Sequence, residues 1–280
     1  LMHTLHGFEV SIGEIVELLH RLREHAQPVL DDLKRTIRAS PAVQSDETGW
    51  REDGTNGYIW SVSTPKVRYY EYHHSRAGEV VKQLIGEEFQ GVLGSDFYAG
   101  YNIHQGLHQR CWVHFLRAIH ELKQLHPDDA ELWQWAKAVK QIYHRAKAAP
   151  APDPSLPTTK QHAQRVALQH AFEQELWQVC VPFAQTQALM RTLCERVERF
   201  LPELFVFVAY PGVPSDNNLA ERSVRPLVIA RKISGGTRSP KGSSTRMGLA
   251  SLFGTWSAQG LHPFHQCLAL LTSPFSLGEV

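Results

Sequence analysis

Gly57-Tyr-Ile-Trp-Ser-Val-Ser63 and Val67-Arg-Tyr-Tyr-Glu-Tyr-His73, joined by Thr64-Pro-Lys66, decide the fold class of this chain. Two runs rich in aromatic and β-branched residues flank a short turn built on Pro65, which is the pattern of a β-hairpin. Trp60, Tyr69, Tyr70 and Tyr72 read there as sheet packing. Working outward, helical spacing ends near Val43, where a first strand begins and carries Asp46 near its end. Downstream, Gly91-Val-Leu-Gly-Ser-Asp96 is a short apolar strand ending on a carboxylate, and a brief strand near 108–112 follows. The strands therefore concentrate in residues 43–112.

Helices occupy the rest. Ile12, Ile15, Val16, Leu18, Leu19 and Leu22, then Val29, Leu30, Leu33 and Ile37 after Pro28, predict two amphipathic helices over 11–39. A helix near 76–85 and another carrying Ala118, Ile119, Leu122 and Leu125 flank the later strands. Residues 127–147 and 160–200 read as helical, separated by 148–157, where four prolines in ten residues make a stiff extended connector. Ser215-Asp-Asn-Asn218 offers N-cap chemistry for a further helix that Pro226 is expected to limit. Ser234–Ser244 reads as a Gly/Ser/Thr-rich loop, followed by helices over 248–259 and 262–272. The expected fold is α/β: one mixed sheet flanked by helices, with a helical insertion at about 126–210.

Composition narrows the function classes. The 280 residues are 42% hydrophobic and 20% charged, a globular composition. Lys+Arg 29 against Asp+Glu 28 leaves a net charge of +1, which excludes a uniformly basic coat and makes any nucleic-acid site local. Four cysteines without a CxxC pair suggest neither a zinc ribbon nor a disulfide framework. No apolar run reaches the ~18 residues of a membrane span, and no signal peptide is indicated. A soluble, intracellular chain is expected and, from its start on Leu1 instead of Met, a piece of a longer polypeptide.

Three acids stand out by context: Asp46 and Asp96 at strand ends, and Glu221 in a helix after the insertion. Taken singly, each reads as a surface or capping carboxylate. Converging, they would form a hard oxygen donor set suited to Mg²⁺ or Mn²⁺. Cys111 and His114 have CxxH spacing without a second pair nearby. Asn217, Asn218 and Arg225 stand four, three and four residues from Glu221 and are expected on its helix face. Between Glu221 and Arg246 lie seven cationic residues, Arg222, Arg225, Arg231, Lys232, Arg238, Lys241 and Arg246, against the single acid Glu221. That segment is expected to meet DNA backbone, or to be a solvated basic loop.

Asp46-Glu-Thr-Gly-Trp50, Ser95-Asp-Phe-Tyr-Ala-Gly-Tyr101, Cys111-Trp-Val-His-Phe-Leu-Arg117 and Asn217-Asn-Leu-Ala-Glu-Arg-Ser-Val-Arg-Pro226 together resemble the DDE transposases of bacterial insertion sequences. The group named after insertion sequence sixty-six is the most similar, over roughly residues 11–272. The resemblance implies an RNase H-like mixed sheet interrupted by a large helical insertion before the last catalytic helix. Its domains would be an N-terminal helical segment (1–40) left from an upstream DNA-binding region, a catalytic core (41–126 and 211–272) and an insertion (127–210). Asp46, Asp96 and Glu221 would be the catalytic, metal-binding triad for two Mg²⁺ or Mn²⁺ ions, Asp46 bridging both. Arg117 and the seven basic residues would contact DNA, with His114, Asn217 and Asn218 as auxiliary groups. Hydrolysis at the transposon ends and 3′-OH transfer into target DNA would follow, in a homo-oligomer of the bacterial cytoplasm associated with the nucleoid. Two other readings are an inactive or domesticated DNA-binding remnant and a histidine-based zinc hydrolase.

Overall fold

In the computed structural model, which describes Gly7 and residues 9–272, helical spacing at the start gives α1 (Ile12–His25) and α2 (Gln27–Arg38). Ser11 closes a capping box with Glu14 on α1, and Pro28 sits in the first turn of α2, where its missing N–H costs nothing. Then come β1 (Ala42–Glu52), β2 (Thr55–Ser63), β3 (Arg68–His73), α3 (Glu79–Ile85), β4 (Val92–Ser95) and β5 (His108–Arg110). The remainder is helical: α4 (Trp112–Leu125), α5 (Ala130–Lys147), α6 (Thr158–Ala184), α7 (Arg191–Phe200), α8 (Val206–Ala209), α9 (Asn218–Ser234), α10 (Pro240–Ala258) and α11 (Pro263–Thr272). None of the helices among the described residues is long and apolar enough to cross a membrane.

The sheet is mixed and five-stranded, in the order β3-β2-β1-β4-β5. Asp53 and Gly54 join β1 to β2 with φ of 47° and 77°, the two positive values that a tight hairpin turn of matching twist requires. β2 and β3 pair antiparallel from Tyr58↔His73 to Ser63↔Arg68. β1 and β4 pair parallel from Ala42↔Val92 to Gln44↔Gly94, and β4 and β5 parallel from Leu93↔His108 to Ser95↔Arg110.

The chain divides into two units, and β1 belongs to both. The first holds residues up to Ser40, Ser45–Phe89 and residues from Leu219 on. Its centre is Trp50, Ile59, Tyr70, Leu227 and Met247, all buried. Edge strand β3 is covered by α10: Ser251 Oγ accepts from Tyr70 N at 2.9 Å, while Thr255 Oγ1 accepts from Arg68 N and donates to Arg68 O, both at 3.0 Å. Hydroxyls thus occupy backbone groups that an open edge would offer to another strand. The second unit, Pro41–Gln44 and Gln90–Asn218, packs α4 to α8 around Trp112, Phe115, Leu132, Val139, Leu176 and Phe205. Trp112 stacks on Tyr143 with centroids 4.7 Å apart, and its indole N–H donates to Leu204 O.

Four local expectations are corrected. Asp46 sits mid-strand, because β1 runs on to the Asp53-Gly54 turn. The helical stretch 160–200 breaks between Ala184 and Arg191, where Thr186 turns back on Phe183 O through its hydroxyl at 3.1 Å. α9 passes through Pro226 instead of stopping there. Its missing backbone bond is outweighed by burial of Val224 and Leu227 and by the Tyr70 hydroxyl, which donates to Ser223 O at 2.8 Å. The loop 234–244 is shorter than its composition suggests: Ser239 caps α10 by accepting from Gly242 N at 3.1 Å, with Pro240 as the first helical residue.

Candidate active site

Asp46 follows Ser45 in β1 and is half-buried. Successive side chains in a strand alternate faces, so Asp46 shares its face with Gln44 and Thr48. The Gln44 amide donates to Asp216 O at 2.6 Å, just ahead of α9. The Thr48 hydroxyl lies 3.4 Å from the Arg231 guanidinium near the end of α9, and that guanidinium also donates to Gly49 O. Asp46 therefore belongs to the face of β1 on which α9 lies. Its Oδ1 accepts from Glu47 N at 3.0 Å, which fixes the carboxylate close to its own backbone.

Glu221 is in the first turn of α9 and half-buried. A buried chain of serines joins its helix to the sheet. Ser45 Oγ donates to Ser61 O at 3.0 Å, and Ser61 Oγ is 3.3 Å from Ser63 Oγ. Ser63 Oγ donates to Ser223 Oγ at 3.0 Å, and Ser223 Oγ donates to Leu219 O at 2.7 Å. Ser45 adjoins Asp46 and Ser223 lies two residues from Glu221, so this chain holds both acids' backbones within the first unit. Serines give no periodic hydrophobic signal, and nothing in the sequence singled these out.

Asp96 is the first residue past β4, in the second unit, and Tyr98 N donates to its Oδ1 at 2.8 Å. Asp96 lies two positions beyond Gly94, as Asp46 does beyond Gln44, and Gln44↔Gly94 is the last pair of the β1–β4 ladder. Its backbone is held by Arg110, the last residue of β5, which is fully buried. The guanidinium donates to Asp96 O at 2.9 Å, to Asn102 Oδ1 at 2.6 Å and to Glu203 Oε2 at 2.6 Å, and stacks 4.5 Å over the Phe200 ring. Burial lowers the pKa of Arg110 and the charge and hydrogen bond of Glu203 oppose that; the group stays charged at any ordinary pH. His108 approaches the same glutamate at 3.4 Å and Ser95 Oγ at 2.7 Å. Burial, then the charges of Arg110 and His104, push its pKa well below the ordinary value, so it is neutral. Arg110 was invisible to sequence reasoning because one arginine in a short strand carries no pattern.

Asn217 lies just ahead of α9 and is buried; its backbone N donates to Cys111 Sγ at 3.1 Å. Cys111 is the N-cap position of α4, which places His114 in the first turn and Arg117 exposed one turn on. Asn218 opens α9 and its N donates to Asp216 Oδ1 at 3.1 Å, the capping bond that starts the helix.

Of the basic residues, Arg222, Arg225, Lys232, Arg238 and Arg246 are exposed. Two are engaged within the fold: Arg231 on β1, as above, and Lys241 between Glu17 (3.6 Å) and Glu24 (3.5 Å) of α1. The loop carrying Arg238 is laced to the end of β1. Thr237 N donates to Arg51 O and Asp53 N to Thr237 O, both at 2.9 Å, and Trp50 Nε1 donates to Thr237 Oγ1 at 3.0 Å.

The chain matches the model of the Transposase IS66 family over residues 1–245. It belongs to that family. It is 25% identical to Uncharacterized protein y4qI of Sinorhizobium fredii (strain NBRC 101917 / NGR234), across 95% of this chain and 54% of that protein. Uncharacterized protein y4jO of the same strain is 26% identical across 65% of this chain and 52% of its own length. The chain thus spans about half the length of these curated relatives. The match to the IS66 transposases takes in all three acids and the basic residues as far as Lys241; Arg246 lies just beyond it.

Proposed function

We propose that this part of an IS66-family transposase carries the DNA-processing centre, with Asp46, Asp96 and Glu221 as its metal-binding carboxylates. The observation that carries the reading is the common position of Asp46 and Asp96, each two residues past the Gln44↔Gly94 pair of parallel strands β1 and β4. Glu221 joins them from α9, the helix that lies on the Asp46 face. The strand order, a three-stranded meander followed by two parallel strands, supports an RNase H-like core over 41–126 and 211–272. The helices of 127–210 are then its insertion, and 1–40 an N-terminal helical segment left from a DNA-binding region.

Three carboxylates are hard oxygen donors, a chemistry that suits Mg²⁺ or Mn²⁺. Two such ions, when bound, activate the attacking oxygen and stabilise the leaving oxygen of a phosphodiester. The chain's own residues set the positions: the Glu47 N–H orients Asp46, Arg110 fixes the Asp96 carbonyl, and the serine chain sets α9 against the sheet. Exposed Arg222, Arg225, Lys232, Arg238 and Arg246, with Arg117 of α4, meet the DNA backbone. The substrates are transposon ends and target DNA, and the acting form is a homo-oligomer because two ends must be joined.

The test is cleavage and strand transfer with Mg²⁺ on candidate end DNA, using this chain and a longer version. Asp46→Asn, Asp96→Asn and Glu221→Gln are each expected to abolish both steps while DNA binding persists. Cleavage retained by Asp46→Asn sinks the triad. Tight DNA binding by the unaltered protein, without cleavage in either length, favours the inert remnant instead.

A further inference from the structure

The second unit carries an open groove of about 580 Å³ between α4 and α5, lined by none of the three carboxylates and by none of the basic residues after Glu221. Buried Ile119 and Ala136 supply its bottom, and His120, Lys123, Lys137 and Lys140 supply its polar lining. Among the described residues, no carboxylate lines it. The acids of the same two helices, Glu121 and Glu131, lie outside it.

One cation is held in place. The Lys123 ammonium sits 3.5 Å from the centroid of the Trp133 ring, and Trp133 remains 45% exposed. A cation over an indole face is attracted by the ring quadrupole and loses much of its side-chain freedom before any ligand arrives. On α5, Trp133, Lys137 and Lys140 follow at spacings of four and three, which aligns them along one helix face. Lys137 and Lys140 are both exposed, about 4.5 Å apart in helical rise.

Three ammonium groups around one groove repel one another, and the fold supplies no acid there to offset them. An anion does. The cations are strung along two helices instead of converging on a point, which suits a polyanion with regularly spaced charges over a single small anion. Duplex DNA presents one negative charge per ~1.7 Å of axis.

We propose that the α4–α5 groove is a second DNA-backbone site, in which Lys123, Lys137 and Lys140 contact phosphates. It rests on the DNA-processing reading above and deepens it. Contacts of this kind position a duplex without reading its sequence, and they release counterions. The basic segment after Glu221 belongs to the other unit, so DNA engaged by both would be gripped at two separate places on the chain.

The experiment uses the full chain, without metal, and a fluorescein-labelled duplex of random sequence, with anisotropy followed across a salt series. Lys137→Gln/Lys140→Gln is expected to bind at least tenfold more weakly near 0.1 M salt, and to flatten the log–log salt slope by about 1.8, at about 0.9 per lost phosphate contact. Lys137→Arg/Lys140→Arg should restore both values. Both pairs lie on exposed helix positions, and unchanged melting of each variant secures the comparison. A slope and affinity equal to the unaltered protein overturn the proposal. The catalytic reading fails independently: if Asp46→Asn still cleaves while the lysine pair flattens the slope, the groove stands and the triad falls.

Discussion

Replacing Arg110 with Met tests whether the Asp96 end of the sheet is held as the structure indicates. The side chain is fully buried and donates to Glu203, Asn102 and the Asp96 carbonyl at 2.6, 2.6 and 2.9 Å. Methionine fills similar volume but leaves the partly exposed Glu203 carboxylate without its cation, and removes the donor to Asp96 O and to Asn102 Oδ1. Breaking a buried ion pair from one side costs about 3–5 kcal/mol. For a protein of this size that lowers the melting temperature by roughly 6–20 °C. A second substitution separates the charge from the cavity: Glu203→Gln in the Arg110→Met background should recover part of the loss, giving a coupling energy of about 1–3 kcal/mol in a double-mutant cycle. Urea unfolding at neutral pH, monitored on the tryptophans, reads both quantities. Cleavage should fall further than DNA binding, because the Asp96 backbone loosens while the exposed arginines do not. A loss below about 1 kcal/mol in Arg110→Met, or additive behaviour in the cycle, refutes the reasoning.

Other outcomes follow from single features. Burial alone would raise the Glu71 carboxyl, but hydrogen bonds from His73, Lys34 and Tyr69 reverse this and hold it at about 2, against an ordinary 4.5. Its folded pKa is therefore depressed, so its contribution is complete above 4.5 and disappears as pH falls toward 2. Acid titration of stability should show up to about 3 kcal/mol lost in that window, and Glu71→Gln should remove that component. At Gly236, with φ of +123°, a Cβ would lie 2.1 Å from the Arg51 carbonyl oxygen. Gly236→Ala should cost more than about 2 kcal/mol in denaturant unfolding, whereas Gly235→Ala, which meets nothing within 4 Å, should cost only about 1. Cys111, Cys180 and Cys194 are buried and Cys267 is half-buried, with its thiol pushed up by burial. A thiol reagent should therefore label only Cys267 in the native protein, and slowly; prompt reaction of a second thiol contradicts the packing.

The sequence made the hairpin, the N-terminal helices and the proline connector legible because each rests on local chemistry: alternation, 3.6-residue spacing or a missing N–H. It failed where distant packing overrode a local signal. Pro226 should stop a helix, yet Val224, Leu227 and the Tyr70 hydroxyl carry α9 past it. Gly/Ser/Thr richness after Ser234 masked the Ser239-Pro240 start of α10. The turn signal of Asp53-Gly54 lies seven residues past Asp46, and it is this turn, not the acid, that ends β1. At the candidate site, the acids and their flanking motifs were visible in one dimension. Arg110 and the four serines were not, because their importance lies in partners 2 to 160 positions away. The basic segment was visible as charge, but not that Arg231 and Lys241 spend theirs on β1 and α1.

The covering of β3 by α10 has a consequence for how this chain is made. Tyr70 and the serine that satisfies it are 181 residues apart. At 5–20 residues per second, a ribosome needs roughly 10–40 s to travel that distance. Throughout that interval β2 and β3 exist as a ribbon with an open edge, beside Trp50 and Ile59, and with their covering helices not yet synthesised. Meanwhile residues 90–218, which with 41–44 make up the second unit, emerge whole. Nascent chains arrested before Ser251 should therefore present one folded body and one adhesive hairpin. The gap in translation between the two halves of the first unit is the period in which this protein most needs a chaperone.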